Sequence, residues 1–284
     1  MKLVSFLRNN KPTWGVAVDG GVVDCGAKLG KKYPDLKAVI ANRGLADVKK
    51  FATSKRKPDV PSAKVKYLPP IGNPDKIICI GLNYKSHVAE TGRSDAQYPT
   101  IFTRFANTQV GHGQPMIRPK NSEKYDYEGE VAVIIGKKGR HIGKADALKY
   151  VAGYSCYNDG SIRDWQRHTT QFTPGKNFVG TGGFGPWLVT ADEIRDPSKL
   201  TLITRLNGQE LQRATTDLLI FDIPTLISYC SDWTELVPGD VIVTGTPGGV
   251  GFVRNPPIFM KPGDTCEVEI DRIGTLVNPI AAEK

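Results

Sequence analysis

Two glutamates, Glu128 and Glu130, lie two residues apart at the start of an apolar run that ends at Ile135. Side chains alternate between the two faces of a strand, so both carboxylates are expected on one face, with Val131 and Val133 on the other. Adjacent carboxylates repel each other unless a cation neutralises them, and the hard ions Mg²⁺ and Mn²⁺ prefer oxygen ligands. The pair therefore indicates a divalent-metal site. The alternative is a solvated edge strand that carries two glutamates.

A third carboxylate, Asp159, follows the apolar segment 151–157 and precedes Gly160. An aspartate before a glycine is typical of a turn, which is the structural alternative. Together with Glu128 and Glu130, Asp159 would complete a set of three carboxylates. Such a set fills part of an octahedral Mg²⁺ shell and leaves positions for water and a chelating substrate.

His87 and Glu90 are three residues apart in segment 83–91, which is predicted to form a short helix, so they share one helical face. A carboxylate that orients an imidazole and stabilises its protonated form makes the imidazole a general base. The alternative is a surface His–Glu pair. Lys176 lies in a glycine-flanked segment, where it would either hold a developing oxyanion or be a solvated loop lysine.

A glycine-rich run, Gly245-Thr246-Pro247-Gly248-Gly249-Val250-Gly251, follows the predicted strand 240–244. Such a run lets backbone amides approach a ligand carboxylate, with the hydroxyl of Thr246 as a further donor. A tight structural turn is the alternative. The sequence has no Walker A motif and no G-x-G-x-x-G between a strand and a helix, so no nucleotide cofactor is expected.

The elements that must position these side chains are mainly strands. The 30 glycines and 20 prolines among 284 residues favour a turn-rich, strand-dominated fold. One helix is predicted at Ile223–Trp233, with Asp222 as its N-cap. The balance predicts an α+β fold dominated by a rolled, mixed β-sheet. Strands are predicted at 76–81, 130–136, 151–157, 186–190, 200–207, 240–244 and 265–270.

Residues 1–70 are predicted to form a small, basic N-terminal accessory domain, and residues 71–284 the catalytic domain, because a proline-marked junction follows Tyr67. Short strands and a weak helical pattern at 34–51 are predicted before the junction. This segment holds 15 Lys and Arg against 5 Asp, so it carries the whole excess of the net charge of +9. Its densest basic run, 55–57, lacks aromatic residues for base stacking. A solvated face, or a surface that attracts anionic substrates, is therefore favoured over nucleic-acid binding.

The order of these segments resembles the fumarylacetoacetate hydrolase superfamily across about residues 68–284. Two closing segments, Lys261-Pro262-Gly263-Asp264 and 273–278, are similar to the C-terminal signature of that family. The segments that carry the resemblance are Gly81-Leu82-Asn83-Tyr84 with His87 and Glu90; Tyr127-Glu128-Gly129-Glu130; Tyr157-Asn158-Asp159 with Arg163, Asp164 and Gln166; Lys176 followed by Gly185-Pro186-Trp187; and the glycine-rich run 245–251.

The resemblance implies a role for each of these residues. The metal, Mg²⁺ or Mn²⁺, would be bound by Glu128, Glu130 and Asp159. The resemblance further implies a His–Glu dyad on a mobile lid, an enolate-stabilising lysine, two side chains that contact substrate, an arginine that braces the site, and a homodimer. Those residues are His87 with Glu90, Lys176, Gln166 with Thr246, and Arg163. Arg104 occupies a substrate-facing position where the family commonly has lysine, so the substrate preference is expected to differ.

These observations favour hydrolytic C–C cleavage of an acylpyruvate, a 2,4-dioxo acid such as fumarylpyruvate or maleylpyruvate, into pyruvate and a carboxylic acid. His87 would activate the water molecule that attacks the distal carbonyl. The pyruvate enolate that leaves would be stabilised by the cation and Lys176. Oxaloacetate decarboxylation, or keto–enol isomerisation or hydration of a dioic acid, would use the same site and is the alternative. A non-catalytic basic protein that binds RNA or anions is a third, weaker alternative.

The sequence also predicts where the protein works. No apolar run approaches the roughly 20 residues that a membrane helix needs, so no membrane partner is expected. The N-terminus has no signal-peptide pattern and reads as a first strand. Five widely spaced cysteines without a C-x-x-C pair are typical of reduced thiols. A cytoplasmic location is therefore predicted.

Overall fold

The computed structural model describes residues 1–92 and 97–284. Its strands are β1 Lys2–Arg8, β2 Lys11–Val18, β3 Gly21–Asp24, β4 Val60–Pro61, β5 Lys66–Leu68, β6 Ile77–Gly81, β7 Thr100–Arg104, β8 Gln109–Val110, β9 Met116–Arg118, β10 Tyr125–Asp126, β11 Gly129–Ile135, β12 Val151–Asn158, β13 Ser161–Ile162, β14 Gly182–Thr190, β15 Thr201–Leu206, β16 Gln209–Thr215, β17 Val241–Val243, β18 Thr265–Ile270 and β19 Gly274–Ala282. Its α-helices are α1 Gly26–Leu29, α2 Leu36–Ala41, α3 Leu45–Thr53, α4 Lys85–Glu90, α5 Arg163–Gln166, α6 Thr173–Lys176 and α7 Ile223–Trp233. Short 3₁₀ turns lie at Ser62–Lys64, Ala106–Thr108, Lys144–Tyr150, Thr216–Leu218 and Gly251–Val253.

Within the described residues, a twelve-stranded sheet runs in the order β4-β3-β2-β1-β14-β12-β11-β17-β6-β7, with β5 paired to β1 and β8 to β14. Most neighbours are antiparallel, whereas β17–β6 and β14–β8 are parallel. A five-stranded sheet, β16-β15-β18-β19-β9, packs against β11, β12 and β14. The predicted α+β fold dominated by a mixed sheet is therefore confirmed.

Strand β11, which carries Glu130, lies in the middle of the large sheet, between β12 and β17. All of its residues are buried. Val131 and Val133 pack in a hydrophobic cluster toward the five-stranded sheet, and Ala132 and Ile134 pack in a second cluster on the opposite face. The alternative of a solvated edge strand is therefore excluded.

The N-terminal segment continues the large sheet. Strand β1 pairs with β14, where Leu3 lies opposite Leu188. The cluster that holds Leu3 and Trp14 also holds Cys79 and Ile134, which follow residue 70. The two predicted domains thus share one sheet and one cluster of buried side chains, and the boundary at residue 70 stays a prediction.

Local signals explain the main helix. α7 begins and ends at the predicted residues, and the side chain of Asp222 accepts a hydrogen bond from the backbone N–H of Thr225. Its buried face joins the cluster between the sheets. Among residues 1–92 and 97–284, no helix has the length and apolar character needed to cross a lipid bilayer. The five cysteines are free and buried.

Candidate active site

The antiparallel pairing of β11 and β12 brings the predicted carboxylates together. Gly129 lies opposite Asn158, so Glu128 before β11 is adjacent to Asp159 after β12. The backbone N–H of Asp159 donates to the carbonyl oxygen of Glu128 at 2.8 Å. Oxygens of Glu128, Glu130 and Asp159 all lie within 4.8 Å of one another, and all three residues are buried. The structure thus assembles the predicted ligand set.

Glu130 is the carboxylate of this set that lacks a positive partner. It is 1% exposed, and within the described residues it forms no ion pair. One oxygen accepts a hydrogen bond from the backbone N–H of Gly245. Burial, and the charges of Asp159 and Glu128, raise its pKa well above the usual range. Three converging carboxylates, one of them without a positive partner among the described residues, fit a hard divalent cation.

Lys176 lies between the other two carboxylates. Its Nζ is 2.7 Å from Oε2 of Glu128 and 2.6 Å from Oδ2 of Asp159. Burial opposes ionisation of Glu128, but the charges of Lys176 and Arg163 outweigh it and lower the pKa of Glu128 to about 2. Lys176 is the last residue of α6. This helix packs so closely on α5 that a Cβ added at Gly175 would lie 2.4 Å from the backbone of Gln166. The predicted catalytic lysine therefore lies inside the carboxylate cluster.

Arg163 braces the site from α5, as the family resemblance implied. Its Nε is 2.8 Å from Asp126 and its Nη1 is 2.6 Å from Glu128. The same Nη1 donates to Oε1 of Gln166 at 2.9 Å, which fixes the amide at the pocket wall. Asp126 was not singled out as a site residue, although it directly precedes the Tyr127-Glu128 motif.

Arg104 is placed differently from the prediction that it contacts substrate. Its guanidinium is buried and pairs with Asp159 at 2.6 Å, and it also donates to the hydroxyl of Thr181. It lies behind Asp159 and does not line the pocket, because β7 directs this side chain into the interior. The predicted contact with substrate is thus corrected to a contact with a carboxylate of the cluster.

The predicted dyad is formed on α4. His87 Nδ1 is 2.7 Å from Oε1 of Glu90, and the second carboxylate oxygen accepts from the backbone N–H of Gly249 at 2.7 Å. Glu90 is therefore held from two sides. His87 is buried and lines the same pocket as Glu128 and Glu130. A candidate base and the carboxylate cluster therefore share one pocket.

The glycine-rich run makes contacts within the protein. The sequence leaves open whether its amides meet a ligand carboxylate or form a tight turn; those of Gly245, Gly249 and Gly251 donate to the side chains of Glu130, Glu90 and Asp126. The amides of the run thus donate hydrogen bonds to carboxylates of the protein itself. The hydroxyl oxygen of Thr246 accepts a hydrogen bond from Nε2 of Gln212 at 2.8 Å, and Thr246 lines the pocket. Its contact with substrate stays a prediction.

The remaining pocket wall is largely aromatic and aliphatic, with a second arginine at the rim. Isolated phenylalanines carry no sequence signal for a binding site, so these residues were missed. Gln212 was missed because it lies in a hairpin strand, β16, that the sequence pattern did not reveal. The additional lining residues are Ile80, Gly81, Leu82, Thr91, Phe102, Arg167, Phe172 and Phe252.

Comparisons with known proteins show the family and the fold of this chain. Residues 76–281 match the family model described as fumarylacetoacetate (FAA) hydrolase C-terminal. Oxaloacetate tautomerase Fahd2a, mitochondrial, of Rattus norvegicus is 38% identical, over 99% of this chain and 91% of its own length. Two solved structures each cover 100% of both chains. The fumarylacetoacetate hydrolase of Exiguobacterium antarcticum has a TM-score of 0.83 and 34% identity. The maleylpyruvate hydrolase of Sphingobium sp. SYK-6, in complex with manganese(II) and pyruvate, has a TM-score of 0.83 and 28% identity.

Proposed function

Because the chain belongs to the fumarylacetoacetate hydrolase family, we propose that it is a divalent-metal-dependent enzyme that interconverts the keto and enol forms of oxaloacetate. The rat relative, an oxaloacetate tautomerase, supports this choice over the acylpyruvate hydrolysis favoured by the sequence pattern. The observation that carries the proposal is that one pocket is lined by His87, which pairs with Glu90, and by Glu128 and Glu130, which converge with Asp159.

The three carboxylates fit the ion that this chemistry requires. When bound by Glu128, Glu130 and Asp159, Mg²⁺ or Mn²⁺ would polarise the 2-oxo group and stabilise negative charge on its oxygen. Burial and the neighbouring carboxylates raise the pKa of Glu130, and none of the described residues forms an ion pair with it, so a cation bound here would stabilise its ionised form.

The chain's own residues move the proton. His87 removes a proton from the carbon beside the 2-oxo group and returns it to oxygen, and Glu90 stabilises the imidazolium in between. The ammonium of Lys176 has three N–H donors. Two make short contacts with Glu128 and Asp159, and the third has only a long contact of 3.5 Å with the carbonyl oxygen of Asp159, which it can exchange for the enolate oxygen. Gln166 and Thr246 line the pocket and orient the substrate.

Acylpyruvate hydrolysis is the second candidate. The same dyad is able to activate water, and the structural relative that is a maleylpyruvate hydrolase supports this reading. Oxaloacetate decarboxylation and isomerisation or hydration of a dioic acid use the same enolate. They differ from tautomerisation in the products that they release.

One assay separates these reactions. The purified protein is incubated with oxaloacetate, fumarylpyruvate and maleylpyruvate, with Mg²⁺ or Mn²⁺ and with chelator, and all products are identified. We expect metal-dependent acceleration of enol–keto exchange of oxaloacetate without loss of carbon dioxide. Release of pyruvate from the dioxo acids, with no effect on the exchange, would overturn the tautomerase proposal in favour of hydrolysis. No activity toward any of the three would overturn both.

We further expect the protein to form a homodimer and to be located in the cytoplasm. Its expected partner is a small 2-oxo acid, and neither nucleic acid nor a membrane is expected to bind. A homodimer predicts a solution mass of about twice 31.0 kDa, which sedimentation equilibrium measures. The rat relative's name places that protein in mitochondria, so the location of this chain needs its own measurement in cells.

A further inference from the structure

Gln212 lies in β16 of the five-stranded sheet, and its buried side chain reaches the pocket wall. Its Oε1 accepts a hydrogen bond from the backbone N–H of Gly129 at 3.0 Å. Its Nε2 donates to the carbonyl oxygen of Pro247 at 2.9 Å and to Oγ1 of Thr246 at 2.8 Å. One amide therefore connects the residue between the two glutamates with the glycine-rich run.

The backbone fixes the direction of these hydrogen bonds. The N–H of Gly129 can only donate and the carbonyl of Pro247 can only accept, so the amide of Gln212 has a single orientation. The second hydrogen of Nε2 then points to Thr246, whose oxygen must accept it. The one hydrogen of that hydroxyl is thereby directed elsewhere. Within residues 1–92 and 97–284, Thr246 donates to no protein acceptor, and its side chain lines the same pocket as His87.

We propose that Gln212 is a positioning residue that holds the hydroxyl of Thr246 as a hydrogen-bond donor toward an oxygen of the substrate. The inference rests on the proposed function, because carboxylate and enolate oxygens of a 2-oxo acid are acceptors. A hydroxyl that rotates freely offers either its hydrogen or its lone pairs, whereas one that already accepts from Gln212 offers its hydrogen. The donor is then oriented before the substrate arrives.

A double-mutant cycle tests the role. Gln212→Met removes the amide at similar volume, and Thr246→Val removes the hydroxyl at similar shape. Each change is expected to lower kcat/KM for oxaloacetate enol–keto exchange by about tenfold. The double variant should match Thr246→Val alone, because no hydroxyl is left to position. Calorimetric binding of oxalate in the presence of Mg²⁺ should follow the same pattern. Equal losses from Gln212→Met with and without the hydroxyl would overturn the proposal.

Two further variants separate positioning from general support of the fold. Thr246→Ser keeps the donor, so Gln212→Met should cost as much in that background as in the wild type. Asn278 is another buried amide that donates to two backbone carbonyls, those of Gly111 and Gln114, away from the pocket. Asn278→Leu should therefore have the same effect with Thr246 or with Thr246→Val.

A second substitution keeps the proposal testable if Gln212→Met does not fold. Gln212→Glu retains an acceptor for the N–H of Gly129 but turns the hydroxyl of Thr246 toward the new carboxylate. The new carboxylate also faces the carbonyl oxygen of Pro247, a repulsion that does not depend on the hydroxyl of Thr246. The loss of kcat/KM should therefore be smaller in the Thr246→Val background than with Thr246, and equal losses in the two backgrounds contradict the positioning role. A wild-type protein without turnover of any 2-oxo acid would instead refute the proposed function itself.

Discussion

The three carboxylates of the site are neutralised to different degrees. Glu128 contacts both Lys176 and Arg163, and Asp159 contacts both Lys176 and Arg104. Among the residues that the structure describes, the only hydrogen-bond donor to Glu130 is the backbone N–H of Gly245. The sequence alone does not distinguish the three acidic residues as metal ligands. The unequal distribution of positive charge depends on contacts between residues up to 55 positions apart, which no local pattern reveals.

This difference predicts unequal effects on stability. Glu130 has no counterion among the described residues, and its raised pKa favours the neutral carboxyl, which Gln resembles. Glu130→Gln should therefore leave the stability of the metal-free protein unchanged. Glu128→Gln leaves Lys176 and Arg163 with a neutral partner and should cost about 3 kcal/mol. Urea unfolding in chelator measures both. Calorimetric titration with Mn²⁺ should show at least a roughly hundredfold weaker affinity in both variants. Equal stability losses, or unchanged Mn²⁺ affinity, would contradict the assigned ligand set.

His87 provides a prediction about proton transfer. His87→Asn removes the base but none of the three carboxylates, so kcat should fall by about 10²- to 10⁴-fold while the Mn²⁺ affinity stays the same. Steady-state kinetics and calorimetry measure the two quantities. The matched control is His141→Asn, because His141 is exposed and pairs with Asp232. A fully active His87→Asn protein would remove the imidazole from the mechanism.

At the scale of elements, the sequence predicts the strands and helices whose own residues carry a local signal. β18 and α7 have the predicted bounds because apolar alternation and an N-cap specify them locally. β16 and β19 were missed, although they pair closely with β15 and β18. Polar residues interrupt their apolar pattern, and their stability comes from pairing across the sheet.

Asp126 shows how one side chain connects several elements. Its two oxygens accept hydrogen bonds from four N–H groups, those of Tyr127, Gly251, Phe252 and Arg163. Asp126→Asn would point an amide NH₂ at two of these donors, so the free energy of unfolding should fall by about 2 kcal/mol.

The matched control is Asp222→Asn, because asparagine is as good an N-cap as aspartate, and its effect should be within a few tenths of a kcal/mol. Both values come from urea unfolding. A change at Asp126 no larger than that at Asp222 would show that the four hydrogen bonds are not needed to hold the loop.

At the scale of the whole molecule, His112 connects its own segment with two others, β19 and the N-terminal segment. Its Nδ1 accepts a hydrogen bond from the backbone N–H of Val277 in β19, and its ring lies edge-on to Tyr67 of the N-terminal segment, with ring centres 5.1 Å apart. An imidazole that accepts in this way is neutral at Nδ1. Burial lowers the pKa of His112. Protonation therefore opposes the contacts that hold these regions together.

The lowered pKa predicts the sign of a pH effect. Below about pH 6.5 the unfolded chain binds a proton at this histidine more readily than the folded chain, so stability falls as the pH decreases from there. The slope for one proton is at most about 1.4 kcal/mol per pH unit. Urea unfolding between pH 7 and pH 5 should show a smaller decrease for His112→Gln than for the wild type. Parallel curves would assign the acid sensitivity to other groups.

The pairing of β1 with β14 has a consequence for any attempt to shorten the protein. A chain that starts at residue 71 would expose the hydrogen-bonding edge of β14 beside Leu188, and such bare edges recruit strands from other molecules. In the intact protein the sheet ends instead at β4, which is two residues long and finishes with Pro61. Proline cannot extend a hydrogen-bonded ladder. The basic N-terminal segment therefore shields the catalytic sheet from self-assembly, and the shortened chain should aggregate even with every active-site residue present.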